Sequence, residues 1–164
     1  MKLETERLYV RDLTLEDAPR MSEYRNKENV AKYQSWDHYS IIDARIRITQ
    51  CQQLQSYNQI GSDYHLAIIL KEDEKMIGDL FVEIVNKKVF MLGYTFDEDY
   101  WRHGYATEII SAFYEYMKKE YSFKKVVCYV YTKNTRSKKL LKRLGFMKFD
   151  ESYYYDDEGY IKKI

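Results

Sequence analysis

The 164 residues include 27 Lys and Arg against 26 Asp and Glu, a net charge of +1, with 45% of the chain hydrophobic and 16% aromatic. That length suits a single domain with a sizeable core, and a charge so near zero gives no global field for nucleic acid or for an anionic membrane surface. No apolar run approaches the roughly 18 residues of a membrane span, and Met1, Lys2, Leu3 and Glu4 open no signal-peptide pattern, so a cytoplasmic location is expected.

Residues 7–13 alternate and predict a strand. Thr14 and Asp17 have capping-box spacing, but a helix begun there would enclose Pro19; a start at Asp17 leaves Pro19 in the first turn, where its missing N–H costs nothing. Ser40 with Asp43 three residues on opens a second helix, with Ile41, Ala44, Ile48 and Cys51 on one face. Strands follow over 64–70, 76–85 and 88–96, with turns at 71–75 and 86–87. A long amphipathic helix bears Ala106, Ile109, Ile110, Phe113 and Met117 at helical spacing. A strand over 126–131 precedes a short helix capped by Asn134 and stopped by Gly145, with Leu140, Leu141 and Leu144 as its buried stripe. The chain ends in a hairpin of 149–155 and 160–164 about a turn at Asp156–Gly159. Cys51 and Cys128 fall at core positions and read as free thiols. His38, His65 and His103 lack ligand spacing, so no metal is expected.

The stretch Trp101-Arg102-His103-Gly104-Tyr105-Ala106-Thr107-Glu108 stands where strand 88–96 gives way to the long helix. A helix N-terminus presents unpaired amides and partial positive charge, and the small Gly104 and Ala106 let an anion approach them. The Rossmann and P-loop patterns do not fit, since Gly104 is a lone glycine and no Gly-Lys-Ser/Thr follows. Alone, the segment reads equally as a tight strand-to-helix connection. Downstream, Lys133, Arg136, Lys138, Lys139, Lys142, Arg143 and Lys148 form a run without an acid. It is either a solvated helix face or a device that attracts a polyanion.

Taken together, W-x-x-G-x-A-x-E at 101–108, N-x-x-S at Asn134 and Ser137, and Gly145-Phe146 eight residues after that Ser resemble the GNAT superfamily of acetyl-CoA dependent N-acetyltransferases. The opening Glu4-Thr5-Glu6-Arg7-Leu8, with Asp17-Ala18 following, is similar to its RimJ/RimL branch, the acetyltransferases of ribosomal-protein N-termini. The resemblance covers nearly the whole chain. It implies an α+β fold in three layers, with a mixed, mostly antiparallel sheet of about six to seven strands, helices on both faces, and the fourth and fifth strands splayed apart. It implies acetyl-CoA as co-substrate, its pyrophosphate on the backbone of Arg102, His103, Gly104, Tyr105, Ala106 and Thr107. Tyr94 and Phe96 would offer strand backbone to the pantetheine and acetyl carbonyl, Asn134 would hydrogen-bond the pantetheine, and Ser137 would donate to the leaving thiolate. Ser137 reads otherwise as an ordinary first-turn helix residue.

This chain departs from the family pattern in three places. Trp101 replaces a common Gln or Arg, as in the RimJ/RimL branch. Leu141 occupies the place of a Tyr that acts as general acid in much of the superfamily. Met91 occupies the place of a Glu two residues before Gly93-Tyr94, so the usual base is missing. Asp79 and Glu83 share one strand face and are fallback bases or plain solvent-facing residues. Trp36 and the tyrosines Tyr153, Tyr154, Tyr155 and Tyr160 either line the acceptor entrance or pack at the surface.

An α-amine of pKa near 7.8 is already about 15% neutral at pH 7, a penalty of about 1 kcal/mol, whereas a lysine near 10.4 requires about 4.6 kcal/mol to deprotonate. Without the usual base the α-amine is the easier acceptor. The leading expectation is therefore an enzyme acetylating the N-terminal α-amine of a protein or peptide, acting as a monomer or homodimer. A small-molecule amine acetyltransferase is the rival. From another class comes a non-catalytic CoA-binding module, suggested by the absent Glu and Tyr.

Overall fold

Leu66, Ile68 and Leu70 point to one side of a sheet, and Ala67 and Ile69 to the other, as the two-residue period of a strand requires. Both faces are apolar, so both are covered. The computed structural model describes Met1 and residues 3–164; Lys2, within the opening tetrapeptide discussed above, lies outside the described residues. The elements are β1 (Leu3–Glu4), β2 (Leu8–Asp12), α1 (Ala18–Arg25), α2 (Glu28–Ala31), α3 (Ile41–Cys51), β3 (Asp63–Leu70), β4 (Lys75–Asn86), β5 (Val89–Phe96), α4 (Tyr105–Tyr121), β6 (Lys125–Tyr131), α5 (Thr135–Arg143), β7 (Met147–Ser152) and β8 (Asp157–Lys163).

Among the described residues the strands form one eight-stranded sheet in the order β1-β2-β3-β4-β5-β6-β8-β7, with β5–β6 its parallel pair. The three-layer arrangement stands as expected, with a sheet larger than six to seven strands because Leu3–Glu4 adds an edge pair to β2. Ile109, Ile110, Phe113 and Met117 of α4, together with Leu140 and Leu141 of α5, cover one face. Ala18, Met21 and Tyr24 of α1, with Ala44 and Ile48 of α3, cover the other.

The helix starts reconcile two competing signals. Asp17 accepts from the Thr14 backbone N–H at 2.8 Å, closing the expected box around a 3-10 turn at Leu15–Asp17, and Pro19 then falls in the first turn of α1. Ser40 caps α3 as its spacing predicts, its hydroxyl accepting from the Asp43 N–H at 3.0 Å. The four-residue α2 has no sequence signature, being too short to show a period. The terminal hairpin turns earlier than expected, between Ser152 and Asp157, with Asp156 in the left-handed region at φ 52. Gly159 lies inside β8 instead, where a Cβ would come within 2.9 Å of Asp150, Phe149 and Tyr129. It is a close-approach glycine and not a turn residue.

The separation of β5 from β6 positions the site. They pair only at Val89–Met91 against Lys125–Val127. Beyond Met91, β5 stays with β4 through Phe96, while β6 stays with β8 through Tyr131. This is the splay expected of the fourth and fifth strands, here β5 and β6.

Candidate active site

The split between β5 and β6 opens into a cavity of about 1260 Å³, lined by residues 92–96 on one side and 129–131 on the other. Of the site residues expected from the sequence, Tyr94, Phe96, Arg102, Gly104, Tyr105, Ala106, Thr107, Asn134 and Ser137 all line it. His103 does not. Its ring stacks on Tyr105 at 5.4 Å, its Nδ1 lies 2.8 Å from the Trp101 carbonyl, and its own carbonyl accepts from Arg7 Nη1 at 2.9 Å.

Gly104 is the N-cap of α4 at φ 80, a left-handed conformation that suits glycine. The amides that follow belong to the first helical turn, which has no intrahelical acceptor for them. The loop is clipped from outside by Glu108. Its carboxylate takes the Thr5 hydroxyl at 2.6 Å, the Arg7 backbone N–H at 2.9 Å and the Arg7 Nε at 2.7 Å. Burial opposes ionisation of Glu108, but these donors outweigh it and hold the carboxyl below its ordinary range. Both the opening segment and Glu108 belong to the sequence resemblance; their contact across the chain is a structural finding.

Trp101 joins three elements. Its Nε1 donates to the Phe96 carbonyl at 3.0 Å, and the Arg136 guanidinium lies 3.1 Å over its ring. Burial and the nearby Arg102 charge both lower the Arg136 pKa, so two cations meet at the loop. Of the downstream basic run, Arg136, Lys139 and Arg143 line the cavity. Lys138 instead pairs with the buried Glu158 at 3.2 Å.

Asn134 caps α5, its side-chain oxygen accepting from the Ser137 N–H at 3.2 Å. The Ser137 hydroxyl meets Tyr94 Oη at 2.6 Å. Burial pushes the Tyr94 phenol well above its ordinary pKa, so the phenol stays protonated. The sequence pointed to Tyr94 for its backbone only; the approach of its side chain to α5 has no local signal.

A second chamber of about 530 Å³ adjoins the first, and both are lined by Gln34, Ser35, Gly93, Tyr94 and Thr95. Trp36 lines it, its indole N–H donating to the Arg25 carbonyl at 3.0 Å and its ring 4.4 Å from the Arg25 guanidinium. Asp79 is only 1% exposed, so the solvent-facing reading fails: α1 and α3 cover this part of the face, whereas Glu83 lies toward the end of β4. Arg25 Nη2 donates to Asp79 at 2.6 Å, the Tyr24 hydroxyl donates to its other oxygen, and His65 Nδ1 lies 2.9 Å away. Burial opposes its charge, yet the Arg25 guanidinium and the hydrogen bond from His65 together outweigh it and hold Asp79 well below the carboxylate range. A carboxylate held so strongly is a poor base. Tyr155 lines the larger cavity, Tyr160 is buried, and Tyr153 and Tyr154 lie exposed on the terminal turn.

A family model described as an acetyltransferase (GNAT) domain matches residues 7–147. The chain belongs to that family and is an acetyl-CoA dependent N-acetyltransferase of GNAT type, which sets aside the non-catalytic module. It is similar to YnaD of Bacillus subtilis (strain 168), named an uncharacterized N-acetyltransferase, with 24% identity covering 99% of this chain and 87% of that one. The fold is also that of RimL, a ribosomal alpha-N-protein acetyltransferase solved with coenzyme A (TM-score 0.84, 16% identity, 100% and 98% of the two chains). The microcin self-immunity acetyltransferase MccE, solved with acetyl-CoA and AMP, shares it too (TM-score 0.81, 19% identity, 98% and 94%). Among the described residues no helix is long and apolar enough to cross a membrane, and no His, Cys, Asp and Glu cluster could hold a metal ion.

Proposed function

We propose that this enzyme acetylates the N-terminal α-amine of a protein or peptide in the cytoplasm, as a member of the RimJ/RimL branch. One observation supports this reading over a polycationic small-molecule acceptor: among the described residues the one buried carboxylate of the second chamber, Asp79, is already paired with Arg25. The chamber's other carboxylate, Asp43, is a single exposed charge that accepts from the Ser40 backbone and hydroxyl at the start of α3. Polyamines and aminoglycosides present several ammonium groups, each needing a counter-charge, whereas a peptide terminus presents one.

In this reading the amides of Arg102–Thr107 hold the pyrophosphate, with the Arg102 and Arg136 charges beside them. The β5 backbone at Tyr94 and Phe96 faces the pantetheine in the split. Asn134, its oxygen committed to Ser137, has its amide N–H group left to donate. An amine entering from the second chamber meets the thioester at Gly93–Thr95. Its lone pair forms the N–C bond, and the C–S bond breaks as electrons move to sulfur. The Tyr94 and Ser137 hydroxyls form a donor pair for that thiolate: Ser137 gives its proton and Tyr94 replenishes it.

The test is a screen of acetyl-CoA turnover at pH 7 against peptides with free α-amines, blocked peptides bearing one lysine, polyamines and aminoglycosides. Some α-amine peptide is expected to exceed every lysine and small amine. A lysine or polyamine acetylated faster than all α-amine peptides overturns the acceptor assignment.

A further inference from the structure

We propose that His65 is the base of the reaction, accepting through bridging water the proton shed by the attacking nitrogen, with Asp79 as the positioning residue that leaves His65 Nε2 free. The inference rests on the N-acetyltransfer just described and fills the place left by Met91.

The sheet register puts the imidazole in the acceptor chamber. His65 on β3 pairs with Phe81 on β4, and Phe81 pairs with Gly93 on β5, so the three share one face in a single row. Strands about 4.8 Å apart place His65 roughly 10 Å from the Gly93 backbone. That is too far for direct contact with a nitrogen attacking there, so water in the chamber both residues line must bridge the gap. Phe81 stands between them, its Cβ 3.3 Å from where a Gly93 Cβ would lie and its ring 5.2 Å from the His65 ring, and all three residues line the second chamber, so the water crosses over the Phe81 ring.

Two groups compete for His65 Nδ1. The Asp79 carboxylate oxygen lies 2.9 Å from it and Arg25 Nη2 3.3 Å. Asp79 only accepts and Arg25 only donates, so the tautomer must satisfy one and disappoint the other. An unprotonated Nδ1 would set its lone pair against a carboxylate at the shorter distance, while Arg25 already has that carboxylate at 2.6 Å. Nδ1 therefore bears the proton and Nε2 the lone pair. Among the described residues no hydrogen bond is formed at Nε2, and no buried side-chain nitrogen or oxygen lacks a partner, so Nε2 opens to the chamber.

The groups around the ring favour its neutral form. Asp79 on β4 promotes protonation. Arg25 on α1 and Arg47 on α3 oppose it, and Tyr24, Tyr39 and the Cys51 thiol stay uncharged at neutral pH. Burial, with the two arginines, wins over Asp79 and lowers the His65 pKa.

The proton balance closes. As the N–C bond forms, the nitrogen becomes cationic and its proton acid. Water takes that proton and passes one of its own to Nε2. The C–S bond breaks, the sulfur gains a proton from the Ser137 and Tyr94 pair, and solvent restores both that pair and the neutral imidazole.

The experiment compares the parent protein with His65→Gln and has two readouts. In kinetics with an accepted amine, His65→Gln should lower kcat on the order of 100-fold with acetyl-CoA affinity and Tm unchanged. The parent's kcat should fall as pH drops through the imidazole titration, and the variant should lose that inflection. In nitrogen NMR of the parent at pH 7, the His65 ring should be neutral with its proton on Nδ1. An unchanged kcat with the inflection retained, or a ring protonated on Nε2 or on both nitrogens, overturns the proposal. If the parent acetylates no amine, the proposed function fails, and the ring tautomer still decides the geometry assigned to His65.

Discussion

Tyr94 and Ser137 stand 43 residues apart in the chain, on a strand and on a helix, and their hydroxyls meet at 2.6 Å inside the cavity. Leu141, at the family's usual tyrosine position, is fully buried in the core and has no access to it. In the proposed mechanism a phenol from β5 stands in for the one α5 lacks. Ser137→Ala and Tyr94→Phe should each lower kcat on the order of 100-fold, with acetyl-CoA affinity nearly unchanged by calorimetry. In the proposed mechanism the two act as one donor, so the double variant should lose little more than the worse single. Full kcat in Ser137→Ala would remove the pair from the mechanism.

Gly104 adopts φ 80, and among the described residues a Cβ there meets only the Arg7 Nη2, at 3.4 Å. A side chain is therefore opposed by the backbone conformation, at about 1–2 kcal/mol, and by any anion seated on the amides. Gly104→Ala should lower Tm and weaken acetyl-CoA binding; Gly104→Val should abolish binding in a protein that still folds. Calorimetry checks both, and a folded Gly104→Val protein with parental affinity refutes the amide site.

The basic run of α5 divides by direction. Lys139 and Arg143 line the cavity, whereas Lys138 faces Glu158. Replacing Lys139 and Arg143 with Ala should weaken acetyl-CoA binding and flatten its salt dependence, since exposed charges are screened over about 8 Å at physiological ionic strength. Lys142→Ala should leave the slope alone. Equal slopes in the parent and the double variant would make the run a solvated face.

Glu108 gives a prediction in pH. Its folded pKa is depressed, so its stabilisation is fully present above the unfolded value of about 4.3 and is lost as pH falls through the folded value. Glu108→Gln, which has no charge to lose, should melt below the parent at pH 7, with the gap closing below about pH 4. A gap independent of pH would show that Glu108 acts through its size and not its charge.

Local patterns made much of this legible. Gly104, Asn134 and Ser40 sit where capping and helix-start chemistry put them, and the motif from Trp101 to Glu108 supplies part of the cavity's lining. Contacts between distant segments left no such trace. Asp79 and Glu83 share a strand face by simple alternation, but only the packing of α1 and α3 buries one and not the other. His65, one of three scattered histidines, gains meaning from Asp79 beside it in the next strand and Arg25 above it. Gly159 misled because a glycine after acidic residues looks the same whether it turns a chain or lets Phe149 and Tyr129 close over a strand.

The divergence of β5 from β6 makes the free protein an unfinished sheet. From Leu92 onward the ladder between them is missing, and a ligand that lies along β5 takes the position of an absent strand. Its binding energy then adds to that of the fold, by an amount that grows with the logarithm of its concentration over Kd. Melting temperature becomes a gauge of the acyl-carrier pool, and fragments of the carrier too short to reach the amides after Gly104 should still raise it if they span the gap.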